Sequence, residues 1–258
     1  VNIIVFSKDR AAQLDLFLRS FYKYVKNAEK YQIKILYTFT NDKFKKGYDI
    51  LINKNINNVT FRLEKDFKKD LIDLIHLLKH TVFFVDDNIF IRDFSFYDSQ
   101  QDIFENDKNI LCRSLRLNYY LDYCYPARSA IRSTPKFDSD GVFYWKNCEC
   151  DYGYPMSLDG HIFRTKEILP LLKDLNYRNP NSLEGQFAIH PLDLPEMICY
   201  KDSKIVNIPV NRVQTNNFNH CGCISAENLN ERFCSGGEID LSRFDGVKNR
   251  SCHVEMEI

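Results

Sequence analysis

The residues best suited to chemistry lie in 81–90, TVFFVDDNIF. Asp86 and Asp87 stand side by side after Val82, Phe83, Phe84 and Val85, with Asn88 next. Two unpaired carboxylates are too costly to bury, so they must face a crevice, meet a cation or reach solvent. Hard oxygen donors at a strand end suit Mg²⁺ or Mn²⁺, which bind through one or two carboxylates plus substrate phosphates. The plain alternative is a strand and turn with two solvated aspartates. A second cluster, Ser7, Lys8, Asp9 and Arg10, follows the apolar run NIIVF. Arg10 or Lys8 suits a phosphate or base, and Asp9 a ribose or base edge. A helix cap by Ser7 or Asp9 explains part of the same pattern. A third stretch, 151–164, gathers Asp151, Asp159, His161 and Arg164 around Gly153 and Gly160. Asp159 beside Gly160 also fits a turn.

The elements that must place these groups read as follows. Residues 2–6 form a short strand, and Leu14, Phe17, Leu18, Phe21, Tyr22 and Val25 then recur at helical spacing. That is the first half of a βαβ unit. Residues 32–38 are a second strand ending in Phe39, Thr40, Asn41 and Asp42, and 44–54 a helix. Residues 59–63 are a third strand, 67–78 a helix, and 81–90 the fourth strand. This alternation predicts a mostly parallel sheet, with its polar clusters along the carboxyl edge where such sheets bind ligands.

Beyond Phe96 the pattern loosens. Residues 109–117 read as a strand or a helix start, 128–141 as a polar loop, and 165–172 as a helix capped by Thr165. Glu184 falls in a turn before a short helix. Residues 205–213 read as a late strand bent at Pro209, 225–233 as a helix, and those after Gly236 as a surface tail. His190 and His220 are candidate metal or phosphate contacts, and Asn211, Arg212 and Gln214 candidate sugar or diphosphate contacts. A lone histidine is more often structural, and a solvated strand end explains Asn211, Arg212 and Gln214 equally well.

Composition narrows the classes. The 258 residues have room for one large domain or two small ones, and an apolar fraction of 44% is that of a globular chain. Lys+Arg and Asp+Glu are both 35, so no uniformly basic surface for nucleic acid is expected. Nine cysteines, an odd number, and the lack of a leader-like start read as reduced thiols in a cytoplasmic setting. The pairs Cys148/Cys150 and Cys221/Cys223 leave one residue between them, where zinc sites leave two to four. No apolar run approaches the ~20 residues of a membrane span. The first residue is Val rather than Met, which reads as a segment cut from a longer protein. The dinucleotide fingerprint, the P-loop and the nucleophile elbow of hydrolases are all absent. What remains is a nucleotide held by side chains and by a metal at the carboxylate pair.

Three pieces together resemble a GT-A-fold nucleotide-sugar glycosyltransferase of a bacterial or viral branch. They are NIIVFSKDR at 2–10, VDDN at 85–88, and the block from Leu158, Asp159 and Gly160 through Phe163 and Arg164 to Leu183, Glu184 and Gly185. The likeness covers most of residues 1–190. It implies an α/β fold, a GT-A-like, Rossmann-type, mostly parallel sheet flanked by helices. One domain would span 1–258, with a nucleotide-sugar half at 1–96 and a smaller acceptor-side half at 97–258. It implies donor contacts from Phe6, Ser7, Lys8, Asp9, Arg10, Thr40, Asn41, Asp86 and Arg164, and Mn²⁺ or Mg²⁺ at Asp86, Asp87 and Asn88. Glu184 would be the catalytic base, with Asp159 and His161 shaping the acceptor site. The implied partners are a nucleotide-sugar donor, UDP preferred, and a glycan or glycolipid acceptor, with peripheral membrane contact left open. Two positions depart from the pattern: Asn88 stands where Asp is common, and Gly185 where a second acid is common. A nucleotidyltransferase acting on a sugar phosphate, or a non-catalytic nucleotide- or carbohydrate-binding module, fits the same residues.

Overall fold

The computed structural model describes residues 1–213, 222 and 224–256. Alternation along the first strand sets the architecture. In β1 (Asn2–Lys8), Ile3 and Val5 enter one apolar cluster while Ile4 and Phe6 enter another. A strand apolar on both sides needs cover on both faces. Helix α1 (Ala11–Tyr24) covers the first face with Leu14, Phe17, Leu18 and Phe21. β2 (Ile33–Thr38), α2 (Asp42–Asn53), β3 (Val59–Leu63), α3 (Phe67–Leu74) and β4 (His80–Val85) follow. The four strands are parallel in the order β3-β2-β1-β4. β4 repeats the division, with Val82 and Phe84 in the first cluster and Phe83 in the second.

The later residues extend the same sheet. After β5 (Asn88–Phe90), α4 (Ser99–Asn106) and β6 (Ile110–Ser114) come β7 (Tyr123–Cys124), β8 (Ser129–Ala130) and β9 (Val142–Tyr144). Then follow β10 (His161–Arg164), α5 (Thr165–Asp174), α6 (Pro180–Ile189), β11 (Glu196–Cys199), β12 (Ile205–Asn207) and α7 (Ala226–Cys234). The eight-stranded order is β3-β2-β1-β4-β10-β6-β11-β9, with β10 and β9 antiparallel to their neighbours. Because β10 is reversed, its amino end shares an edge with the carboxyl ends of β1, β4 and β6. Asp159, Gly160, Asp86 and Arg116 therefore meet there. β5 and β12 pair separately, placing Asn207 opposite Asn88, and His253 bridges to Asn207 from the C-terminal segment.

Several local expectations change. α3 ends at Leu74 rather than at Leu78, because the buried Asn2 side chain holds both His76 N and His76 O in an extended connection. Thr165 is not the cap of α5. Arg164 takes that place without a side-chain bond, and Thr165 Oγ1 pairs with Thr81 Oγ1 at 2.8 Å. Glu184 is not in a turn but inside α6, which starts earlier, with Asn179 and Ser182 forming a capping box and Pro180 at its first turn. The late strand stops at Asn207, and 208–213 run on irregularly. The segment after Gly236 is more than a surface tail, since Phe244 and Cys252 are fully buried. Among the described residues no helix is long and apolar enough to cross a membrane.

Candidate active site

The first group of site residues hangs on the ends of β1 and β4. Asp86 N donates to Phe6 O, which ties the turn after β4 to β1. Asp86 Oδ2 accepts from Ser7 Oγ at 2.8 Å and from Lys8 N at 3.3 Å, and its Oδ1 accepts from Arg10 Nη1 at 3.1 Å. The same Nη1 lies 3.1 Å from Asp87 Oδ2. Arg10 is held from its other side by Asn211, whose Oδ1 accepts from Nε at 2.9 Å and whose backbone oxygen accepts from Nη2. Tyr48 OH, from α2, bonds Ser7 Oγ at 2.7 Å and accepts from Arg10 N. Burial pushes both carboxyls up against the pull of Arg10. Asp87, which also faces Asp86 and Asp159, reaches about 7.

The second group is assembled from separate segments around Arg116, just past β6. Its guanidinium is buried and donates to Asp151 Oδ1 at 2.6 Å, Asp159 Oδ2 at 2.9 Å and Ser157 Oγ at 2.7 Å. Ser157 Oγ lies 3.0 Å from Glu184 Oε1 and 3.4 Å from Asp159 Oδ2, so its one proton goes to the nearer glutamate. Leu158 N also donates to Glu184 Oε1 at 3.0 Å. Glu184 Oε2 takes no hydrogen bond from any described residue. Burial, and then the charge of Asp159, raise the Glu184 carboxyl to about 7. Gly160 joins the two groups. Its φ is +70°, a backbone that favours glycine, and an added Cβ would lie 2.3 Å from Ile205 Cδ1 and push that methyl aside.

The expected residues divide accordingly. Ser7, Asp86, Asp87 and Arg10 come together on one side, and Asp159 and Glu184 on the other. Lys8 is exposed at the rim. Asp9, at φ +57°, turns its carboxylate to Thr40 N at 2.7 Å, while Asn41 caps α2. The expected cap of α1 by Ser7 or Asp9 is absent, because Arg10 is the cap residue and makes no side-chain bond there.

Four placements differ from expectation. The Phe6 side chain packs on Phe67 and Phe83 in the core, leaving only its carbonyl at the edge. Asn88 is fully buried and its Oδ1 accepts from Val85 N, so the atom that would ligate a metal is spent on the turn. Arg164 sits at the opposite edge of the sheet, paired in register with His80 and bonded to Ile110 O and Asp107 O, so it does not reach the crevice at Asp86 and Asp87. His161 is 1% exposed with Nδ1 against Pro155 O, and burial followed by the Arg116 charge lowers it to about 3. It lies beneath the site as a neutral packed ring. His190 ends α6 and is exposed. Cys148 and Cys150 are free thiols. Gln214, His220, Cys221 and Cys223 lie outside the described residues.

Arg116, Ser157 and Asn207 were not foreseen. An arginine within the apolar run LCRSLRL was a usable signal, since a buried guanidinium demands carboxylate partners. Nothing in the sequence indicated which ones.

A divalent ion was expected at the carboxylate pair. Both Asp86 oxygens are committed, whereas Asp87 Oδ1 has only a 3.4 Å contact from Asn207. Among the described residues no three His, Cys, Asp or Glu side chains form a metal-binding group. Asp87 therefore fits as one hard ligand, with phosphate and water oxygens supplying the rest. Charge balance agrees: among the described residues the ion pairs of Asp86, Asp87, Asp151 and Asp159 go to Arg10 and Arg116, and an anionic diphosphate entering such a crevice would need an added cation.

Fold and crevice together define an α/β protein with a mostly parallel central sheet and acidic groups along its carboxyl edge. In sequence the chain is similar to a glycosyltransferase, the bifunctional glycosyltransferase pgtA of Dictyostelium discoideum. The two are 28% identical over 250 residues, covering 83% of this chain and 32% of that protein. The chain thus spans about a third of its relative's length. No protein-family model matches it. Solved structures align loosely. S. aureus TarS matches at 10% identity over 95% of this chain and 41% of its own, with a TM-score of 0.48. A cytidylyltransferase from Leptospira borgpetersenii matches at 17% identity over 72% and 68%, with a TM-score of 0.40. At these scores the structural likeness identifies nothing further about this chain.

Proposed function

We propose that the chain is the catalytic part of an inverting glycosyltransferase. It moves a sugar from a nucleotide-sugar, UDP-sugar preferred, to a hydroxyl of a glycan or glycolipid in the cytoplasm, in surface polysaccharide or glycoconjugate synthesis. Residues 1–258 act as one GT-A-like domain. The observation that carries this reading is the juxtaposition of two acid clusters on one sheet edge, with Asp159 close enough to Asp87 to raise its carboxyl. One cluster suits a diphosphate with its cation and the other an acceptor hydroxyl.

Ser7, Asp9 and Arg10 hold the nucleotide, and Asp87 would hold Mn²⁺ or Mg²⁺. Such an ion, when bound, supplies charge neutralisation for the leaving diphosphate. The acceptor oxygen attacks the anomeric carbon from the face opposite the diphosphate. A new C–O bond forms as the bond to the phosphate oxygen breaks, and the nucleoside diphosphate leaves with the electron pair. Glu184 Oε2 takes the acceptor proton. Ser157 and Leu158 N fix Oε1, so the carboxylate presents its other oxygen. Asp159, braced by Arg116, lines the acceptor side. The test is incubation with a panel of nucleotide-sugars and glycan acceptors, following nucleoside diphosphate release and the product anomer by NMR. Release of pyrophosphate from a nucleoside triphosphate and a sugar phosphate would instead mark a nucleotidyltransferase. Nucleotide binding without turnover across the panel would mark a binding module.

A further inference from the structure

The Arg10 guanidinium stands where an external cation would have to sit. Its Nη1 is 3.1 Å from both Asp86 Oδ1 and Asp87 Oδ2. It is not loosely placed there. Asn211, 6% exposed, accepts from Nε and Nη2, and Gln13 Nε2 donates to Asn211 Oδ1 at 3.1 Å. Asn211 Nδ2 is buried without a partner, so this asparagine is positioned by what it accepts. The two carboxylates are unequal. Asp86 keeps Ser7 and Lys8 N whatever Arg10 does, while Asp87 Oδ1 has only the long contact from Asn207.

We propose that Arg10 is an internal competitor for the cation, so that a divalent ion binds tightly only together with a nucleoside diphosphate. This rests on the donor-site reading above. A divalent ion on Asp87 and a guanidinium on the same carboxylate repel each other, so the ion alone must displace Arg10 from a partner it already has. A diphosphate offers Arg10 a better one, since guanidinium binds phosphate oxygens in a two-pronged fashion. Arg10 then turns from Asp87 to phosphate, and the carboxylate, no longer neutralised by it, takes the ion. Among the described residues no three-ligand group stands ready for an ion without a diphosphate. Binding of ion and diphosphate is therefore coupled, and by linkage each tightens the other by the same factor.

The test is Mn²⁺ binding to the whole chain, read by the electron paramagnetic resonance of free Mn²⁺, with and without UDP. In the unaltered protein UDP should tighten Mn²⁺ by about tenfold or more, within the usual range of coupling between sites. In Arg10→Gln, Mn²⁺ alone should bind at least about tenfold tighter, and the UDP effect should shrink to about threefold or less. Asn211→Ala, which keeps every charge, should shift Mn²⁺ in the same direction by about threefold. Circular dichroism melting establishes that each variant is folded. If Arg10→Gln binds Mn²⁺ no tighter than the unaltered protein, the proposal is overturned. If that variant does not fold, unchanged coupling in Asn211→Ala overturns it equally. If the unaltered protein binds neither UDP nor Mn²⁺ in the presence of UDP, the donor-site reading fails, and this one with it.

Discussion

Arg10 and Arg116 each neutralise two aspartates, yet the clusters around them are built differently. Arg10 offers one nitrogen to neighbours in sequence, Asp86 and Asp87, both on the turn after a single strand. Arg116 splits its two nitrogens between Asp151 and Asp159, eight residues apart on an irregular segment. Arg10 is also tied to Asn211 outside its carboxylates, whereas Arg116 reaches Glu184 through Ser157. A guanidinium shared through one nitrogen can be traded for another cation. One that braces two segments through separate nitrogens holds the architecture around it. On the proposed reading, the Arg10 side is the exchangeable one and the Arg116 side the fixed one.

The sharpest way to break that contrast is to separate the two functions. Glu184→Gln keeps size and most hydrogen bonding but cannot accept a proton. Its transfer rate should fall by about 10²–10⁴-fold, with UDP affinity unchanged by calorimetry. A wild-type rate would move the base elsewhere, with Asp159→Asn as the next variant. Next in size is stability. Arg116→Met leaves Asp151 and Asp159 without their cation and should cost about 3–5 kcal/mol in urea unfolding. Arg10→Gln, at a site with added access to water and ions, should cost clearly less. The reverse order would show the donor cluster to be the structural one.

Gly160→Ala should cost about 2 kcal/mol, from a left-handed backbone and a Cβ forced on Ile205. It should lower transfer more than UDP binding, because the displaced group is Asp159.

The smallest expected effect is on pH. Glu184 is raised from 4.5 to about 7 by burial, then by Asp159, with Arg116, Ser157 and Leu158 N opposing, and the Tyr154 hydroxyl lies beside its backbone. A general base must be ionised, so kcat should rise with pH through about 7. Stability runs the other way. The folded state holds this proton more tightly than the unfolded chain, so the contribution is complete below about 4.5 and is lost as pH rises through about 7. Melting curves of the unaltered protein and Glu184→Gln should converge in pH dependence at low pH and part above it. Parallel curves across pH 4.5–7.5 would remove Glu184 as the group responsible.

Much of the first half of the chain could be read along the sequence because its signals are local. Alternation in NIIVF, helical spacing from Leu14 to Val25 and the acids after Phe84 each lie within a few residues of the structure they specify. The later half was less readable for the opposite reason. Glu184 reads as a turn residue from its polar surroundings, yet Pro180 behind Asn179 marks a helix start that includes it. Arg164 looked like a donor contact because it lies close to Asp159 in sequence. An antiparallel strand of four residues separates them across the sheet, and no periodicity in 158–164 announces the reversal.

What the sequence determined by itself was the inventory: two adjacent carboxylates at a strand end, an arginine after the first strand, an aspartate before a glycine, and apolar patterns that demand cover on both faces of a sheet. What only the tertiary structure decided was which charges neutralise one another. Asp86 meets Arg10 across 76 residues and Arg116 meets Asp159 across 43, and these pairings follow from strand order and from the reversal of β10. Charge pairing depends on distance in space, which packing of the two apolar clusters sets. The same sheet edge therefore carries one carboxylate pair held through a single guanidinium nitrogen and another braced through two.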